Sequence, residues 1–166
     1  MAVYRGTIEL QSRDHKPHFH NVTDKVKEIV KESSIKNGIV VVYSHHTTCS
    51  VITQECSHDL TYYGREYLQQ DLINIMEKLI PTCQHEGQYL HPGPKHIEFA
   101  LSIPGEVAKG SLNTDAHLRS CIFGRSETIV LVDGELSLGD FGFIYFIDWD
   151  QVRERKRVCE VQIIGE

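Results

Sequence analysis

The stretch Gly38-Ile39-Val40-Val41-Val42-Tyr43 is a run of β-branched and aromatic residues that gives way, after Ser44, to His45-His46-Thr47-Thr48-Cys49-Ser50. The first half has the composition of a strand. The second half replaces it with two imidazoles, hydroxyls and a thiol, and a core strand that ends this way lines something. Histidine titrates near neutral pH and binds transition metals through a neutral ring nitrogen, so the chemistry is expected to start here.

Upstream, Val3–Leu10 alternates as a strand should, and the polar turn at residues 12–17 leads into an extended His18-Phe19-His20. His18 and His20 share a strand face and could pair on a metal, although exposed histidines are the commoner case. Val22, Val26, Ile29 and Val30 fall on one helical face, with Thr23 as a cap, and Asn37-Gly38 closes that unit. Downstream, Val51-Ile52-Thr53-Gln54 can continue as strand or bend into a helix. A helical stripe then runs from about His58 to Leu79 and is stopped by Pro81.

Residues 83–112 are rich in glycine and proline, with one expected strand at His96–Ile103, and read as an excursion over the site. Asn113 or Thr114 can cap a short helix that runs to Phe123 and stops at Gly124. Glu127–Val132, Asp133-Gly134 and Glu135–Leu138 read as a hairpin on a type I′ turn. Phe141–Trp149 and Val158–Ile164 read as a second pair, joined by a charged loop at 150–157.

With 166 residues, 40% hydrophobic and 24% charged, the chain has the profile of one globular domain, 1–166. A formal charge of −6 argues against a nucleic-acid surface, and no apolar stretch reaches the ~20 residues that span a bilayer. The opening Met1–Gly6 lacks a signal peptide's basic start and apolar run. Five cysteines, with no C-x-x-C pair, favour free thiols in a reducing cytoplasm. Phosphate loops of the G-x-x-x-x-G-K-[ST] type, G-x-G-x-x-G and G-x-S-x-G are all missing.

His46, His117 and one histidine of the 85–96 region could hold zinc with an open fourth position, or serve as hydrogen-bonded core histidines. His45, on the opposite strand face from His46, is the weaker candidate. Glu55 and Asp59 share a face if the helix has begun, and either could act as general base; Asp59 could equally decorate a helix start. Cys49 is a nucleophile candidate or a small packing residue. Thr47, Thr48 and Ser50 offer hydroxyls to a phosphate, and Asn113 and Thr114 offer a helix N-terminus or an ordinary cap. Arg153, Arg155 and Arg157 form a charge run that is either solvated or phosphate-binding, with Arg153 or Arg157 preferred.

Taken together, His46-Thr47-Thr48-Cys49-Ser50 with Glu55 and Asp59, Asn113-Thr114-Asp115-Ala116-His117-Leu118, Gly124-Arg125-Ser126, Asp133-Gly134-Glu135-Leu136-Ser137-Leu138-Gly139 and Ile144-Tyr145-Phe146 resemble the YjbQ-like family. That family is often labelled secondary thiamine-phosphate synthase. The resemblance implies an α+β fold with a β-sandwich core of two mostly antiparallel sheets and flanking helices, assembling as a homotrimer. It implies an enzyme joining a pyrimidine diphosphate to a thiazole phosphate at a metal-assisted pocket, with a metal on His46, His91 and His117. His85 and His96 compete with His91 for the middle place. Catalytic roles then fall to His46, Glu55, Asp59 and Cys49, and phosphate contacts to Thr47, Thr48, Asn113, Ser126, Arg153 and Arg157.

The expected cofactor is a divalent ion, zinc by its ligands or Mg²⁺ if the synthase reaction holds. The expected partner is a phosphorylated small molecule, with no nucleic acid and no membrane. Two rivals are a metal-dependent hydrolase of phosphate esters or amides and a trimeric metabolite-binding module. The chain departs from the family pattern after Leu138-Gly139, where Asp140-Phe141-Gly142 stands in place of a Trp-Gln pair, and in the longer stretch between His91 and Asn113.

Overall fold

The structure is a computed structural model that describes residues 1–13 and 15–166; Asp14, in the turn expected at 12–17, lies outside the described residues. In chain order come β1 (Ala2–Gln11), β2 (His18–Asn21), α1 (Thr23–Ser33), β3 (Gly38–Tyr43), β4 (Cys49–Glu55), α2 (Tyr67–Leu79) and α3 (Pro94–Leu101). A 3-10 turn at Ala108–Ser111 follows, then α4 (Thr114–Phe123), β5 (Ser126–Val132), β6 (Glu135–Leu136), β7 (Gly142–Asp148) and β8 (Lys156–Gly165). Five strands form one antiparallel sheet in the order β1-β8-β3-β5-β6, and three form a second in the order β2-β7-β4.

Alternation along β3 sends Val40 and Val42 inward, where both are fully buried. Each burial contributes about 1.5–3 kcal/mol. They meet Val161 and Ile163 of β8, Val26 and Val30 of α1, and Val51, Ile144 and Phe146 of the smaller sheet, so one core joins the inner faces of both sheets. A second cluster lies on the far side of the small sheet, where α2 and α4 cover Tyr145, Ile147 and Trp149. The Arg119 guanidinium is buried there. It donates to the Ile80 carbonyl (2.6 Å) and to Glu77 (2.7 Å), and so locks α4 against the end of α2. The Asp133-Gly134 turn has positive φ at both residues (51° and 83°), as a type I′ hairpin requires.

Several sequence expectations need correction. The long helix begins at Tyr67 and not near His58, because Gly64 (φ 75°) and the Thr61–Arg65 turn break the chain first; Tyr62 and Tyr63 are exposed, not part of a buried stripe. Glu55 therefore ends a strand, and it shares no helix face with Asp59. The strand expected at His96–Ile103 is the helix α3, started by Pro94 in its first turn, where a missing N–H costs nothing. Thr23 does not cap α1; its hydroxyl accepts the Ile144 N–H (2.8 Å). The last two long strands do not pair: β7 is the centre of the small sheet and β8 is inside the large one. β7 is buried on both faces from Ile144 to Asp148, as a covered central strand must be.

Candidate functional site

Two segments cross from one sheet to the other at the same edge of the molecule. Residues 44–48 pass from β3 to β4, and residues 149–155 pass from β7 to β8. Between them, with α3 as a wall, lies a cavity of about 440 Å³ lined by His45, His46, Thr47, Thr48, His117, Asp150, Arg155 and Arg157, with His96, Phe99, Ala100 and Ile103 opposite. His96, Phe99 and Ala100 follow the i, i+3, i+4 spacing that puts residues on one helical side, and Ile103 comes just past the helix.

His46 has a defined structural task. β3 pairs with β8 as far as Tyr43↔Glu160; beyond that point the Val158 N–H donates to His46 Nε2 at 3.0 Å. The ring replaces a strand that has ended. Burial, then the nearby Arg157 charge, pushes its pKa down to about 4, so the ring is neutral with its proton on Nδ1. His117 is set by α4, which docks on β4 through the Ser120 hydroxyl and the Cys49 carbonyl (2.5 Å). It hydrogen-bonds the Thr47 backbone, and burial lowers its pKa despite Asp150 nearby. The His91 ring lies between His96 (centroids 4.4 Å apart) and His117 (5.7 Å). Its Nε2 is buried without a partner.

The floor is charged but paired. Arg157 is bidentate to Asp148 (2.6 and 3.0 Å) and donates to the Thr48 hydroxyl (3.1 Å). Arg155 Nε lies 3.2 Å from Asp150, an ion pair without hydrogen-bond alignment. Arg153 pairs with Glu106. Asn113 stands at the N-cap position of α4, but its side chain makes no capping hydrogen bond; its amide donates to Asp150 (3.2 Å).

Of the residues singled out in the sequence, the structure gathers His46, Thr47, Thr48, Asn113, His117 and Arg157 in this cavity. His91 stands behind it, against His117. Glu55 lies in a different cleft with Glu127 and Ser137, and Asp59 is exposed in the loop before α2. Ser126 is exposed at the start of β5, and His85 is in the loop after α2. Cys49 is fully buried, and burial with Asp148 alongside pushes its thiol far up, which leaves no thiolate to act as nucleophile. Asp148, Asp150 and the apolar side of α3 were missed. The first two were legible as carboxylates closing an apolar strand, immediately before the arginine run.

An α+β protein of two antiparallel sheets with a histidine-lined pocket where the chain passes between them is the class defined here. Residues 6–166 match the family described as UPF0047 protein YjbQ-like, and the chain belongs to that family. It is 30% identical to a UPF0047 protein of Methanocaldococcus jannaschii over 100% of this chain and 99% of that one. It is 24% identical to the UPF0047 protein YugU of Bacillus subtilis over 87% of this chain and 88% of that one. A solved YjbQ/UPF0047 protein of Clostridium acetobutylicum, described as uncharacterized, superposes with TM-score 0.68 at 28% identity, covering 95% of this chain and 99% of that one. A Sulfolobus solfataricus structure, a YbjQ-like protein of unknown function, shares the fold at TM-score 0.70 and 21% identity, over 99% and 100% of the two chains.

These findings correct the expected activity. The relatives are described only as UPF0047 proteins or as a protein of unknown function, and none of these descriptions names a thiamine-phosphate synthase activity. Among the described residues, no three or more His, Cys, Asp or Glu side chains are grouped to hold a metal ion, so the expected His46/His91/His117 triad is not assembled. His46 Nε2 is turned to the backbone of β8 instead. The synthase loses its basis, and so does the metal-dependent hydrolase, which put a metal on His46 and His117 with Glu55 activating water: Glu55 lies in another cleft.

Proposed function

We propose that the cavity between the two sheet crossings is the functional site, and that it takes a small molecule carrying a phosphate or carboxylate on an apolar body and moves a proton on it. The observation that carries this reading is the convergence of His45, His46 and His117 with Arg155 on one side of the cavity and the α3 wall, with His96, Phe99 and the following Ile103, on the other. A guanidinium and imidazole N–H groups suit an anion, and an aromatic and aliphatic wall suits the body attached to it. A neutral imidazole with an unengaged ring nitrogen can accept a proton from a bound ligand.

Phenyl phosphate is the probe. Its titration is expected to give saturable amide shifts at residues 45–48, 96–103 and 111–117 that are lost in Arg155→Met; shifts elsewhere, or none, would remove the assignment. Proton transfer is tested by incubating phosphorylated and carboxylated metabolite mixtures in D₂O and reading enzyme-dependent deuterium uptake by mass spectrometry.

The homotrimer implied by the resemblance has support in the outer face of the large sheet. Val3, Ile164, Ile39 and Val130 form a cross-strand apolar row there, and Val3, Ile39 and Val130 are exposed. A monomer mass in sedimentation would remove it. No helix among the described residues is long and apolar enough to cross a membrane, and the five free cysteines support a cytoplasmic location.

A further inference from the structure

We infer that His45 and Glu160 form a proton-transfer dyad, with His45, which lines the cavity, the base that meets the ligand, and Glu160, which lies outside it on the outer face of the large sheet, its positioning residue. The inference rests on the reading of this cavity as the functional site. His45 comes from the crossing after β3 and Glu160 from β8, 115 positions later, and the imidazole Nδ1 meets the carboxylate at 2.8 Å. A carboxylate can only accept from Nδ1, so it fixes the neutral ring as the Nδ1–H tautomer and leaves the Nε2 lone pair bare. Among the described residues, that Nε2 has no hydrogen-bond partner.

The adjacent ring makes the contrast. His45 and His46 lie with centroids 4.2 Å apart, and both line the cavity. His46 spends its Nε2 on the Val158 N–H and cannot take up a proton there without losing that bond. His45 has the opposite arrangement, with its fixed nitrogen turned to a carboxylate and its free one available. Both members of the dyad are half exposed (48% each), so a ligand can reach the ring, and an ion pair this open contributes little to folding.

In the step this geometry permits, His45 Nε2 forms an N–H bond as an acidic X–H bond of the ligand breaks. The electron pair stays on the ligand, whose developing charge faces Arg155, and the Glu160 carboxylate stabilises the imidazolium. The proton then returns to the ligand at another atom or passes to solvent.

Long-range ¹H–¹⁵N spectra of the histidine rings test this in the full-length protein. Neutral His45 is expected as the Nδ1–H tautomer. Glu160→Gln, whose amide oxygen still accepts, is expected to keep the tautomer. Glu160→Ala is expected to release the ring to the Nε2–H form. Phenyl phosphate is expected to move the His45 Nε2 resonance in the wild type. An Nε2–H tautomer in the wild type, or an Nδ1–H tautomer that survives Glu160→Ala, overturns the dyad. If phenyl phosphate shifts the Ser111 and Asn113 amides and leaves His45 unmoved, the cavity stands as the site and the dyad's part in it is overturned. If the dyad is present and no cavity resonance moves, the site reading falls and the inference falls with it.

Discussion

The His46 imidazole accepts the backbone N–H of Val158 through Nε2 at 3.0 Å, at the place where β3 stops pairing with β8. A side chain thus completes a ladder that the backbone has left. One ring nitrogen is withdrawn from ligand chemistry, and the other is held as a neutral donor.

His46→Ala is therefore expected to destabilise the protein by about 1–3 kcal/mol, the cost of stranding a buried donor. The pH dependence has a definite sign. The folded-state pKa is pushed down from the ordinary histidine value of about 6.5 to about 4. The contribution is full above about pH 6.5 and is lost as the pH falls from there toward 4. Urea unfolding between those values should show a shallower pH slope for the alanine variant than for the wild type.

Asp148 and Arg157 cross between the sheets as a buried bidentate pair. Asp148→Leu or Arg157→Leu alone should cost about 3–5 kcal/mol, because each strands the partner group. The double change to apolar residues should recover much of that loss. Chemical denaturation of the double-mutant cycle measures it, and a small single-mutant loss would mean that the pair is solvated.

Cys49 should resist iodoacetamide in the folded protein at mildly alkaline pH, since burial suppresses its thiolate. Exposed Cys121 should be alkylated first. Peptide mass spectrometry after a time course decides this; early labelling of Cys49 would restore it as a nucleophile candidate.

Glu55→Gln should leave phenyl phosphate binding unchanged within twofold, roughly the ±0.5 kcal/mol expected of a remote surface substitution. The carboxylate lies in the cleft with Glu127, not in the histidine-lined cavity. Isothermal titration of the variant checks this, and a marked loss of affinity would connect the two clefts.

The sequence by itself determined much of the local structure. Period-two alternation marked β1, a β-branched run marked β3, Asp133-Gly134 marked the hairpin that contains β5, and Gly124 marked the end of α4, because each signal depends on backbone sterics or on residues a few positions apart. The joint order of short motifs was enough for the family. What the local signals misread, the tertiary structure decided. The stripe before Tyr67 looked helical because tyrosine and leucine spacing records apolarity and not burial. The α3 segment looked extended because its stabilising contacts lie in the 3-10 turn and the cavity.

Only the tertiary fold brings His45 beside Glu160, His46 onto Val158 and His117 beside His91. Pairings across 26 to 115 residues leave no periodic trace in the chain. The sequence supplied the imidazoles; which nitrogen each one spends, and on what, was set by where β3 ends against β8.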